Sequence, residues 1–250
     1  MQKEEDQIIL IDKPAGVSSF GVVARVRSRL KAEFGHKVKV GHTGTLDPFA
    51  TGLLILLSGK NTKKSNDFLK KDKVYEATMK LGYVSSTGDP EGKIVKYDAR
   101  QFQGSLFQDL VATTGANGAT EPRNDGREGA RPEKELLETV LAKFTGEISQ
   151  IPPKFSAIKI GGRRAYDLAR KNQDFELPSR KVTIYSIEIL DYSFPYLTIR
   201  THVSSGTYIR TLAEDIGKAL GTGAYLTSLR RTKIANYDVK NATPLDEYMV

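Results

Sequence analysis

In the stretch GHTGTLDPFATGLL, residues 41–54, one side chain can serve as an acid, a base or a nucleophile: Asp47. It is the only carboxylate between Glu33 and Asp67, in a neighbourhood that holds Lys37, Lys39, Lys60, Lys63, Lys64, His36 and His42. A lone carboxylate suits covalent or proton-transfer work at one centre. Glycoside hydrolysis that consumes water calls for a pair. The competing reading is a turn or cap residue, because Pro48 pushes Asp47 out of helical geometry toward an extended one. Spacing by itself leaves both open.

Other candidate chemistries fall away. LLSGKNTK carries Gly59-Lys60 but is no phosphate-binding loop. The first glycine of that motif would fall at Leu54, and Asn61 stands where Ser or Thr must reach magnesium. GDPEGK fails on spacing too. The chain has no cysteine, which removes disulfides, thiolate catalysis and Cys-based zinc sites. His36, His42 and His202 form no pair at helical spacing, so no metal is expected.

The elements that must position Asp47 can be read on either side. QIILID is a short apolar strand closed by Lys13-Pro14 and a turn at Gly16. SSFGVVARVRSRLKAEF follows, with Ser18 or Ser19 as N-cap and Val22, Val23, Val26 and Leu30 near helical spacing. GLLILLSG reads as a buried strand after the loop. KVYEATMKLGYV and KIVKYD alternate as strands about the turn SSTGDPEG. A helix is expected from Glu135 to Phe144, another at RRAYDLARK, strands at KVTIYSIEIL and YLTIRTHV, and a helix at GTYIRTLAEDIGKAL ended by Gly221. Residues 113–133 hold four Gly, two Pro and no aromatic, Val, Ile or Leu, and are expected to form a mobile surface insertion. Strands and helices interleave without a regular βαβ period, which favours a mixed α+β sheet in a single domain over a doubly wound parallel one.

With 250 residues and a 39% hydrophobic content the chain can bury a sizeable core. Its formal charge of +8 favours a polyanionic partner. Residues 59–73 hold six Lys against two Asp, and residues 154–171 hold six Lys or Arg against one Asp, with Phe155 and Tyr166 interleaved. The start MQKEEDQIILIDKP lacks the apolar segment of a signal peptide, and the apolar run Leu53 to Leu57 is far short of a membrane span. A cytoplasmic protein without membrane association is expected.

GHTGTLDPFATGLL resembles the GH-T-G-x-LDP-x-ATG signature of the TruB-type tRNA pseudouridine synthases. LIDKPAGVSS with Lys13, KVYEATMKLG with Tyr75, GYVSSTGDPEG with Asp89, IPPKFSAIKIGGRRAYDLAR, SSGTYIRTLAEDIG and LTSLRRT resemble further motifs of that family. The likeness runs from Leu10 to about Leu245. Three departures stand out: Ser85 and Ser86 in the turn, Ser205 where a Lys usually precedes Gly-Thr-Tyr, and the 113–133 insertion. Many relatives continue into a C-terminal RNA-binding domain of PUA type, which is not expected here.

The resemblance implies an α+β fold with a mixed, mainly antiparallel sheet flanked by helices. It also implies isomerisation of a uridine in the T loop of tRNA, position 55, without cofactor. Asp47 is then the catalytic carboxylate, Arg210 the arginine that pairs with it, and Tyr75 the ring that stacks on the flipped base. Tyr208 and Leu229 would complete the pocket wall, and His42 would help hold the opened loop. Lys13 and Asp89 fall in matching motifs, and Lys154, Lys159, Arg163 and Arg164 would contact RNA. The partner implied is the T arm of tRNA, with the protein acting as a monomer and needing no obligatory protein partner. Two rival readings are a tRNA-binding or folding protein on the same scaffold, and a guide-RNA-dependent pseudouridine synthase.

Overall fold

A computed structural model describes residues 5–98, 131–156, 158–171, 173 and 175–250. The expected insertion lies outside the described residues except for its last three. The chain divides into two compact units: residues 1–76, 200–206 and 228–250, and residues 77–199 and 207–227.

In the first unit β1 (Ile8–Lys13) pairs antiparallel with β3 (Thr51–Ser58), and β3 pairs antiparallel with β2 (Val40–His42). At its start β3 runs parallel to β12 (Ala224–Ile234), through Arg230 opposite Thr51 and Arg231 opposite Gly52. The apolar run of β3 is explained by burial on both faces. Leu54 and Leu56 pack with Val22, Val23, Val26 and Leu30 of α1 (Ser19–Phe34), while Leu53, Ile55 and Leu57 pack with Ile234. Ser18 caps α1, accepting from the Gly21 N–H at 3.0 Å, and Gly35 ends it in the left-handed conformation. The tail of the chain belongs to this unit, because Leu245 is buried in the α1 core.

In the second unit β10 (Arg180–Ser193) pairs antiparallel with β7 (Gly146–Gln150). It also holds α3 (Lys134–Lys143), α4 (Ala165–Arg170) and α5 (Ile209–Ala219). β4 (Lys73–Leu81) and β11 (Tyr196–Val203), like β12, contribute residues to both units. With β14 (Thr243–Pro244), the strand order is β14-β1-β3-β12-β4-β11-β10-β7, a mixed and mostly antiparallel sheet with helices. The sequence reading missed β12, treating LTSLRRT as a motif without assigning a strand.

Candidate functional site

In the first unit the loop that carries Asp47 is fixed from three sides. On its N-terminal flank, Thr43 donates to the Ile55 carbonyl through its amide, at 3.0 Å, and through its hydroxyl, at 3.2 Å. In the middle, the buried Ser19 hydroxyl donates to the Leu46 carbonyl at 2.9 Å and accepts the Leu46 N–H at 2.8 Å. On the C-terminal flank the Pro48 carbonyl accepts from the Gly16 N–H at 2.8 Å and from Lys13 Nζ at 3.1 Å. Lys13 is fully buried and also donates to the carbonyls of Pro14 and Val17. The Ala50 N–H closes a turn on the Asp47 carbonyl at 3.1 Å. Asp47 itself is half-buried.

Arg231 is the residue that sequence reasoning passed over. It is 1% exposed and donates to the Leu53 carbonyl at 2.8 Å, the Gly44 carbonyl at 3.2 Å and the Thr45 carbonyl at 3.5 Å. These carbonyls bracket Asp47 in sequence, so one guanidinium ties both ends of the loop. Among the described residues it has no carboxylate partner. Its close fit depends on Gly52, whose φ is +102°. A Cβ there would lie 2.3 Å from the Arg231 carbonyl oxygen and 2.8 Å from its nitrogen. A pair of adjacent arginines in a polar strand end reads as surface, so no signal in the sequence marked Arg231 as buried.

His42 lies at the end of β2. Burial, and then the charge of Arg231, lower its pKa below 6.5. The Gly44 N–H donates to His42 Nδ1 at 3.3 Å, which assigns the neutral ring with its proton on Nε2. Tyr75 is 8% exposed and belongs to the inward set of β4, with Lys73, Ala77, Met79 and Leu81. Leu229 is likewise buried.

In the second unit Arg210 is no helix-surface cation. It is 5% exposed, and its NH1 donates to Asp89 Oδ2 at 3.2 Å and to the Thr87 carbonyl at 3.0 Å. Its NH2 donates to the Phe155 carbonyl at 2.9 Å. One planar fork therefore joins the turn that carries Asp89 to the loop that carries Lys154. Asp89 Oδ1 accepts the Thr87 hydroxyl at 2.5 Å and the Glu91 N–H at 3.0 Å. Tyr208 caps α5. Its N–H donates to Gln150 Oε1 at 2.8 Å, and its carbonyl accepts from Gln150 Nε2 at 3.0 Å. Gln150, fully buried, is a second residue the sequence did not flag. Beside Gly88, burial is the main cause of a raised Glu214 pKa.

Lys154 and Arg163 are exposed. Lys159 and Arg164 lie in the hairpin β8–β9 (Lys159–Ile160, Arg163–Arg164), and their side chains are outside the described residues. A cavity of about 750 Å³ in this unit, lined by residues such as Lys134, Glu138 and Tyr192, takes in none of the candidate residues. Among the described residues no group of His, Asp and Glu is arranged to hold a metal.

The sheet and helices have the architecture of the pseudouridine synthases. The chain superposes on a chain of the Cbf5-Nop10-Gar1 complex with a TM-score of 0.67 at 28% identity, covering 98% of this chain and 54% of that one. An H/ACA RNP bound to a substrate RNA containing 2'-deoxyuridine gives 0.62 at 26% identity, over 97% and 52% of the two chains. Residues 31–124 and 111–209 match the TruB family pseudouridylate synthase (N terminal domain). Residues 210–248 match the tRNA pseudouridylate synthase B C-terminal domain.

Among curated proteins, tRNA pseudouridine synthase B of Cupriavidus pinatubonensis is 42% identical over 98% of this chain and 68% of its own length. That of Aquifex aeolicus is 42% identical over 98% and 74%. That of Burkholderia lata, also 42% identical, is matched over 64% of its length, so the chain spans about two thirds of such relatives. The chain belongs to the TruB family of pseudouridylate synthases. No helix among the described residues is long and apolar enough to cross a membrane.

Proposed function

We propose that this protein converts a uridine of tRNA to pseudouridine, at position 55 in the T loop, acting alone in the cytoplasm. The reaction breaks a C–N glycosidic bond, turns the uracil and joins its C5 to the same ribose carbon. Nothing is oxidised, reduced or hydrolysed, so one carboxylate in a site that holds water out is sufficient. The observation that carries this reading is the Asp47 loop. Its backbone is fixed by Ser19, Lys13 and Arg231, leaving a half-buried carboxylate on a rigid frame.

Asp47 is the catalytic carboxylate in this proposal, whether by attack at C1′ or C6 or by removal of a ribose proton. Ionisation inside an enclosed site is opposed by burial and favoured by a neighbouring cation. That is the role the family resemblance gives Arg210. The family resemblance gives Tyr75 the face for the flipped base, which recovers stacking lost on leaving the RNA, and gives Tyr208 and Leu229 supporting roles. His42 holds the opened loop. The lysines and arginines of residues 154–164 contact phosphates.

Purified protein incubated with unmodified tRNA and no guide RNA tests the reading, with pseudouridine mapped along the product. Modification confined to the T loop is expected. A product elsewhere overturns the substrate, and no product without a guide overturns the unassisted reaction.

A further inference from the structure

A groove of about 360 Å³ in the first unit is lined by Arg27, Lys37, Val38, Lys39 and Val40. Its construction follows from alternation. Val38 and Val40 turn into the α1 core, which sends Lys37 and Lys39 outward, while Val23, Val26 and Leu30 anchor the helix that presents Arg27. The Lys37 and Lys39 side chains form no hydrogen bond or ion pair with the described residues, and Arg27 donates only to the Val40 carbonyl, at 3.3 Å. No carboxylate lines the groove. Residues 20–40 carry six cations against the single acid Glu33. Phe20, 66% exposed, lies beside Arg27, with its ring centroid 6.0 Å from the guanidinium carbon.

Three uncompensated cations next to an open aromatic ring have the chemistry of a nucleic-acid strand site: charge for phosphates and a flat face for a base. Val40 opens β2 and His42 ends it, two residues or about 7 Å along the strand. We infer that this groove is an RNA-backbone docking surface, engaging tRNA phosphates next to the His42 loop and contributing to affinity without taking part in the chemistry. The inference rests on the tRNA reading above and extends it to residues outside the motifs that define the family resemblance.

The test is the salt dependence of tRNA binding by the full chain and by the triple variant Arg27→Gln, Lys37→Gln, Lys39→Gln. A charge-matched control carries Lys134→Gln, Lys143→Gln and Lys181→Gln. Each phosphate contact adds about 0.7 to 0.9 to the slope of log affinity against log salt. Three lost contacts lower the slope by about 2 to 3. Between about 50 and 200 mM salt the wild type then loses roughly 20- to 40-fold more affinity than the groove variant. The control keeps the wild-type slope, and product formation at saturating tRNA is the same in all three proteins.

An unchanged slope in the groove variant overturns the inference, as does an equal fall in the control, which would report net charge alone. Binding by the wild type to anionic phosphatidylserine vesicles but not to tRNA would also overturn it. The two readings fail separately. Pseudouridine formation with an unchanged slope removes only the groove, and a lowered slope without pseudouridine removes only the enzymatic assignment.

Discussion

Replacing Arg210 by Met should be among the costliest single changes in the second unit. The side chains of Arg210 and Asp89 are 6% and 4% exposed, so removing the guanidinium leaves a carboxylate in a nearly dry site. Asp89 keeps the Thr87 hydroxyl and the Glu91 amide, but the carbonyls of Thr87 and Phe155 lose their donor. Breaking a buried pair by removing one partner costs about 3–5 kcal/mol. A carbonyl left without a donor costs about 1–3 kcal/mol where water cannot reach it. These losses overlap, and about 4 kcal/mol is expected for Arg210→Met.

Arg210→Lys keeps the charge. An ammonium is a point donor that cannot serve Phe155 on one side and Thr87 with Asp89 on the other, so about 2 kcal/mol is expected. Urea unfolding followed by circular dichroism measures both. Asp89→Asn added to Arg210→Met should recover part of the loss, because a buried amide is cheaper than an unpaired carboxylate. A cost for Arg210→Met below about 1 kcal/mol, or no recovery in the double variant, would refute a buried pair joining the turn and the loop.

Other outcomes follow from the same geometry. Arg231→Met should raise the His42 pKa toward 6.5, read by histidine NMR, since the Arg231 charge is one of the two causes that depress it. In the wild type the unfolded chain takes up the His42 proton at a higher pH than the folded one. Stability from this group is therefore present above pH 6.5 and is lost as pH falls below it. Lys73 is lowered to about 8 from 10.5, chiefly by burial. Between those values the unfolded chain holds a proton that the folded one has released, so stability rises from pH 8 to 10.5, and urea midpoints of Lys73→Met should lack that rise. Gly52→Ala should destabilise by at least about 2 kcal/mol by thermal or urea unfolding, since strain at positive φ adds to the collision with the Arg231 backbone.

Periodic segments were legible in the sequence because burial imposes its period. The α1 spacing, the apolar run of β3 and the alternation of β4 each report directly on which face is covered. The candidate site was legible only in part. Asp47 stood out as a solitary acid, and Arg210 and Asp89 through their motifs, but what surrounds them did not. Arg231, Lys13 and Gln150 are buried polar side chains whose partners are mostly backbone groups, and carbonyls leave no trace in residue identity. Arg231 was hidden further because its neighbour Arg230 is the more exposed of the two and pairs with Asp12 at 2.6 Å.

The central claim is that the fixed Asp47 carboxylate carries out the isomerisation. The direct measurement is single-turnover pseudouridine formation in tRNA by Asp47→Asn, with tRNA binding measured on the same preparation. Asparagine keeps the size of the side chain and the turn at Ala50, because that bond uses the backbone carbonyl. The expected result is wild-type tRNA binding with no pseudouridine formed. Turnover at the wild-type rate would contradict it.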